Sequence, residues 1–260
     1  ISKTLAAFLS DAALLGTRTA ELHLMLAAEN ENPALRPEPF TNSDQNAFYE
    51  RCQQMAGEVF DLLRGQLPNL LERIRPHAIQ VLCLEPAVRQ QFRRVVAKPI
   101  HLFRIRCHGD YHLGQVLVGE HDFVIIDFEG EPARPLGERR KKQLALRDVA
   151  SLIRSYHYAS CSAARRAKQG NPPTDARAIE DWSRVWYFWT SVAFLTAYRQ
   201  TAADTVFLPE SGEEFECLLE SCLLEKALYE LRYELNNRPD WVDLPLQALT
   251  DLVNGAPPTR

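Results

Sequence analysis

The chain has 260 residues, 46% of them hydrophobic and 25% charged, which describes a folded globular protein and excludes disorder and low complexity. Thirty Lys+Arg against 34 Asp+Glu leave a formal charge of −4, so the chain has no general attraction for a phosphate backbone or an anionic leaflet. Neither nucleic acid nor membrane is expected as a partner.

In chain order, the first hundred residues read as helical. Leu5, Phe8, Leu9 and Ala12 recur at helical spacing, and a second run after Gly16 (Leu22, Met25, Leu26) does the same, which predicts a helix pair. A loop from Pro33 to Pro39 ends the pair. Thr41, Ser43 and Asp44 are candidate N-caps for a helix carrying Phe48, Cys52, Met55, Val59, Leu62 and Leu63 on one face. Pro68, Pro76 and Pro86 punctuate shorter helices that end near Val96.

The period then changes to two. Ile100 to Cys107, Gln115 to Val118 and Phe123 to Asp127 read as strands, the last two joined by the tight turn Gly119-Glu120-His121-Asp122. From Lys142 onward the pattern is helical again, over 144–168, 175–203, 213–236 and 246–253, with a loop at Gly170-Asn171-Pro172-Pro173. The apolar run Val185 to Tyr198 is about half the length needed to cross a bilayer and is bracketed by Arg184 and Arg199, so it reads as a buried helix. Trp182, Trp186, Phe188, Trp189 and Phe194 are expected to form core. Six scattered cysteines without a C-x-x-C pair suit small buried hydrophobes in a reducing compartment, hence a cytoplasmic address. The chain opens at Ile1 without a signal pattern and is expected to be a fragment of a longer polypeptide.

The chemistry gathers at the hairpin. If Gly119 pairs with Asp122, Gln115 faces Ile126 and Gly114 faces Asp127, which places a carboxamide and a carboxylate at one open end of the ribbon. Asp110 lies five residues upstream in a glycine-flanked loop. Three oxygen-bearing side chains without thiolates suit a hard cation such as Mg²⁺, and an acid beside a metal-holding pair is the inventory of phosphoryl transfer.

The segment His108-Gly109-Asp110-Tyr111-His112-Leu113-Gly114-Gln115, followed by Ile126-Asp127-Phe128-Glu129-Gly130-Glu131-Pro132, resembles the catalytic core shared by protein kinases and by aminoglycoside and choline phosphotransferases, with Gln115 where those families have Asn. It looks most like the maltokinases, found alone or fused to trehalose synthase. Leu15 to His23 and Lys226 to Trp241 carry the same likeness. The resemblance implies an α+β, mostly helical fold: a protein-kinase-like C-terminal lobe with a small β-hairpin catalytic cluster and a helical cap, the N-terminal nucleotide lobe being absent. Residues 1–99 would be the helical cap and intermediate segment, and 100–260 the lobe with the catalytic loop and acceptor-binding helices. It also implies transfer of the ATP γ-phosphate to maltose, giving maltose 1-phosphate, with Asp110 as base and Gln115 and Asp127 holding Mg²⁺. Two alternatives stand beside it: an aminoglycoside- or choline-type phosphotransferase, and an inactive kinase-like module attached to trehalose synthase.

Around this core, His108 and Asp148 are expected to support the catalytic loop, whereas His112, Glu129 and Arg147 are candidate substrate contacts. The basic run Arg134, Arg139, Arg140, Lys141 and Lys142 is expected to be a solvated face. Lys226, Tyr229, Glu230 and Tyr233 share one helix face that mixes phenols, an ammonium and a carboxylate, which suits a sugar. No glycine-rich phosphate loop or lysine strand is present, so this chain by itself is expected to be inactive.

Overall fold

The computed structural model describes residues 3–28, 31–132, 134–169 and 175–255. The expected loop at Gly170-Asn171-Pro172-Pro173 lies outside the described residues. The helices in chain order are α1 (Lys3–Ala27), α2 (Asn42–Gln66), α3 (Arg75–Leu82), α4 (Glu85–Arg94), α5 (Leu136–Arg139), α6 (Leu146–Gln169), α7 (Ala176–Thr201), α8 (Gly212–Asn237) and α9 (Asp243–Val253). The chain is therefore mostly helical. No helix among the described residues is long and apolar enough to cross a membrane.

The chain forms two compact units, each assembled from two stretches. One unit holds Ile1–Glu38 and Phe103–Leu208; the other holds Pro39–Leu102 and Pro209–Arg260. The chain crosses between the units near residues 38, 102 and 208.

In the first unit, α1 is a single helix rather than a pair broken at Gly16. The glycine serves packing: a Cβ there would stand 2.2 Å from the Phe194 carbonyl oxygen, so α1 and α7 touch backbone to backbone. Leu5, Ala12, Leu15 and Ala20 are buried along α1, as are Phe194 and Tyr198 on α7. Phe194 is thus core, but Trp182 and Trp189 are about half exposed, because the N-terminal half of α7 offers only one side to its neighbours. On that side Trp186 meets Phe8 and Tyr156 edge to face. The expected strand at 100–107 shrinks to Phe103–Arg104 plus a single bridge from Ile105 to Gln143.

The second unit packs α2, α3, α4, α8 and α9. Thr41 opens α2 with a capping box: its hydroxyl accepts from the Asp44 N–H at 3.2 Å, and the Asp44 carboxylate accepts from the Thr41 N–H at 3.0 Å. Pro76 and Pro86 sit in the first turns of α3 and α4, where a missing N–H leaves no bond unmade. Val59, Phe60, Leu63, Val88, Phe92, Leu218, Leu223, Leu228, Leu231, Leu246 and Leu249 are all fully buried. Arg94–Glu220 at 2.6 Å and Arg51–Glu225 at 3.4 Å tie α4 and α2 to α8 at the edge of this core.

Candidate active site

The hairpin pairs Val116 with Ile125, Leu117 with Val124 and Val118 with Phe123, the register that a Gly119–Asp122 closing pair dictates. The Gly119 N–H donates to the Asp122 carbonyl at 2.7 Å, and the Ile126 N–H to the Gln115 carbonyl at 3.0 Å. This register brings two candidate site residues into contact at the open end, where the Gln115 amide donates to an Asp127 carboxylate oxygen at 2.7 Å. Asp127 has φ 68, in the left-handed region that a non-glycine residue enters at a cost of about 1–2 kcal/mol. Its carboxylate is exposed.

The Asp110 loop is laced to the same segment. The His108 Nε2–H donates to the Ile126 carbonyl at 2.8 Å, which leaves Nδ1 to accept from the Asp110 N–H at 3.4 Å. The buried His108 ring lies between Tyr111 (centroids 5.2 Å apart) and Phe128 (5.1 Å). Gly109 and Gly130 both have positive φ, at 84° and 77°, and a Cβ on Gly109 would already touch the Gly130 Cα at 3.4 Å. Asp110 itself is half-buried, and among the described residues its carboxylate has no hydrogen-bond or ion-pair partner.

Asp148, buried in the first turn of α6, accepts the His108 N–H at 2.7 Å and the Gly109 N–H at 3.0 Å. Burial alone would raise its pKa. The hydrogen bond from His23 and the Gly109 N–H outweigh that and hold the carboxyl below its ordinary value. His23 reaches Asp148 Oδ2 through Nε2 at 3.2 Å and Tyr198 through Nδ1 at 2.8 Å. Since a carboxylate can only accept, Nε2 carries the proton here and the Tyr198 hydroxyl donates to Nδ1. Burial, with smaller contributions from Cys107 and Asp148, pushes Tyr198 well above the usual phenol range and keeps it a donor. One turn earlier on α1, the Thr19 hydroxyl meets the Tyr111 hydroxyl at 2.8 Å. Thr19, His23 and Tyr111 fall within the stretches that carry the resemblance but, like Tyr198, were assigned no role of their own from the sequence. The available signal was two polar residues at i and i+4 on the otherwise apolar face of α1.

The remaining expected site residues are placed as follows. His112 Nδ1 accepts the Gly114 N–H at 3.0 Å and so caps the short turn leading to the hairpin, while the Leu113 N–H donates to Ser155 Oγ at 3.0 Å. Glu129 is exposed and faces Arg139 at 3.7 Å. Arg147 donates to the Gln143 side chain. Lys226, Tyr229, Glu230 and Tyr233 all lie on α8, in the other unit from Asp110, with the Lys226 ammonium 4.9 Å from the Tyr229 ring centroid. Glu230 is buried, whereas Tyr233 is exposed. The basic run is not wholly solvated: Lys142 is buried, donating to Glu38 at 2.6 Å and to the Pro33 carbonyl at 2.9 Å, because an ammonium leaves water only when fully partnered.

A magnesium ion binds through one or two carboxylates and keeps several waters, completing its shell with substrate phosphate. The exposed Asp127 carboxylate and the Gln115 carboxamide fit that demand. Among the described residues no group of three or more His, Cys, Asp or Glu side chains converges, so no all-protein cage of the zinc or calcium kind competes with it.

No family model matches the chain. It is 28% identical over 243 residues to a glucosamine kinase of Streptacidiphilus jiangxiensis, covering 93% of this chain and 49% of the relative. It is 27% identical over 147 residues to a glucosamine kinase of Mycolicibacterium smegmatis, covering 56% of this chain and 34% of the relative. A solved glucosamine kinase in complex with glucosamine, ADP and inorganic phosphate superimposes with a TM-score of 0.75 at 26% identity, covering 96% of this chain and 53% of that one. Another crystal form of a glucosamine kinase gives the same TM-score, with 96% and 54% covered. The chain thus spans about half the length of the relatives it matches. These relatives overturn the maltokinase resemblance: maltose as acceptor, maltose 1-phosphate as product and trehalose synthase as partner are withdrawn. The error has a physical source, because motifs of this kind are read for phosphate and metal chemistry and carry no information about the sugar. Over nearly its whole length, then, the chain is similar to about half of a glucosamine kinase.

Proposed function

We propose that this chain is the catalytic-loop part of an ATP-dependent sugar kinase whose acceptor is an amino sugar of the glucosamine type, and that its hairpin and loop are those of a protein-kinase-like C-terminal lobe. The observation that carries the reading is Asp110: an unpartnered carboxylate whose neighbours on both sides are hydrogen-bonded in place, laced to a segment ending in Gln115 and Asp127. Glucosamine and ADP in the solved relative supply the acceptor and nucleotide classes.

In this reading Asp110 accepts a hydrogen bond from the sugar hydroxyl that attacks the γ-phosphorus, and takes its proton as the oxygen–phosphorus bond forms and ADP departs. Its lack of a competing partner keeps both oxygens available. Asp127 and the Gln115 amide oxygen would hold Mg²⁺, which when bound neutralises charge on the transferred group. Asp148 and His108 fix the loop so that the base need not be ordered during reaction. His112, Glu129 and Arg147 remain candidate contacts in the unit that holds Asp110, and Lys226, Tyr229, Glu230 and Tyr233 remain a separate candidate sugar-binding face on α8.

The test is ADP release and sugar phosphate formation by the whole protein with ATP, Mg²⁺ and glucosamine, repeated with Asp110→Asn. Loss of about 10²–10⁴-fold in kcat is expected for removal of a general base. An unchanged rate in Asp110→Asn would remove the role assigned to this residue, and no turnover with any amino sugar would remove the acceptor class.

A further inference from the structure

Two buried side chains of α1, one helical turn apart, reach the two flanks of Asp110. Thr19 is fully buried; its hydroxyl donates to the Leu15 carbonyl at 2.7 Å and accepts from the Tyr111 hydroxyl at 2.8 Å, on the residue just after Asp110. His23, equally buried, donates to Asp148, the carboxylate that binds the N–H groups of His108 and Gly109 just before Asp110. Its other nitrogen is engaged by Tyr198 of α7, so the ring cannot turn away without breaking a buried bond. Arg18, between them in sequence, donates to Asp122 in the hairpin turn at 2.7 Å. The close approach at Gly16 fixes where α1 lies against α7, and with it the position of both side chains.

We propose that Thr19 and His23 are positioning residues for phosphoryl transfer, holding the backbone on either side of Asp110 at fixed height above the Gln115–Asp127 pair. The inference rests on the assignment of Asp110 given above. Neither side chain is a catalytic residue: each acts through an intermediary, Thr19 through Tyr111 and His23 through Asp148. A purely structural role makes a different prediction, because the apolar side chains of α1 and the Gly16 contact already secure the helix. Thr19→Val, which keeps shape and removes only the hydroxyl, would then leave the rate untouched.

The experiment compares Thr19→Val, Thr19→Ser, His23→Gln and His23→Leu in the whole protein, measuring kcat and KM for glucosamine and ATP together with hydrogen exchange of the His108 and Gly109 amides. A base displaced by a fraction of an ångström loses rate without losing ligand affinity. Thr19→Val and His23→Leu are therefore expected to lower kcat by about tenfold or more with KM held within about twofold, and His23→Leu to speed exchange at both amides. Thr19→Ser restores the hydroxyl and His23→Gln the donor to Asp148, so both are expected to recover most of the rate. Unchanged kcat in Thr19→Val with unchanged exchange in His23→Leu overturns the proposal, as does a loss in which KM rises as much as kcat falls. Should Asp110→Asn remain active, the assignment of the base fails instead; the exchange measurements, which need no turnover, still report whether α1 anchors the loop.

Discussion

His157 shows how much a single side chain can decide. It is buried on α6 against the Tyr187 ring at 5.0 Å, its Nε2 lies 3.6 Å from Cys161 Sγ, and its Nδ1 has no hydrogen-bond partner among the described residues. Burial first, and the nearby charge of Arg154 second, push its pKa well below 6.5. The folded protein therefore holds this histidine neutral at a pH where the unfolded chain protonates it. By linkage, stability falls as the pH drops below about 6.5, by as much as about 1.4 kcal/mol per pH unit until the folded pKa is reached. Replacing His157 with Phe removes the titration and keeps an aromatic in place. Melting temperatures between pH 7.5 and 5 should fall less in His157→Phe than in the parent; parallel curves would show that His157 is not the group responsible. At this scale the sequence placed Gln115 beside Asp127, as the 2.7 Å hydrogen bond between them shows, because a tight turn makes near neighbours in sequence near neighbours in space. It did not disclose Thr19 and His23, whose partners Tyr111 and Asp148 lie 92 and 125 positions away. The sugar was misjudged for a related reason: a motif read for phosphate chemistry says nothing of the acceptor.

Among the elements, α1 is the one the periodic pattern misdescribed. A glycine inside a helix costs about 1 kcal/mol relative to alanine, which is weak evidence for a break and is readily overridden by packing. Here the packing needs the missing Cβ, since a methyl at residue 16 would lie 2.2 Å from a backbone oxygen of α7 that cannot rotate aside. Gly16→Ala should therefore lower stability by about 1–3 kcal/mol, the usual scale of overpacking, despite alanine's better helix propensity. Equilibrium denaturation measures this, and a variant as stable as the parent would mean that the two helices separate without cost. Helices α2, α4 and α6 to α9 were legible within a few residues, because caps such as Thr41 and Asp175 and first-turn prolines such as Pro86 mark their ends locally. The short strand at Phe103–Arg104 was overread: alternation was present in the sequence, but a strand lasts only as long as its partner does.

For the whole molecule, the two compact units cannot be separated by one cut. The second unit draws α2, α3 and α4 from Pro39–Leu102, and α8 and α9 from Pro209–Arg260. Val59, Phe60 and Phe92 are fully buried within that unit, and Leu218, Leu223, Leu246 and Leu249 supply the facing side of its core. A chain ending at residue 208 should keep amide protection in α1 and α7 and lose it in α2, as read by hydrogen exchange; undiminished protection in α2 would mean that 39–102 folds alone. Composition and period could not reveal this interleaving, because nothing local records that a helix near residue 60 awaits one near residue 220.

That interleaving has a consequence for how the protein is made. When the ribosome has released residue 102, the apolar faces of α2 and α4 exist but their covering helices have yet to be synthesised, with roughly a hundred residues still to come before α8 begins. At typical elongation rates this leaves the half-built unit exposed for about 5–20 s, far longer than a helix takes to form, and so a natural client for a holding chaperone.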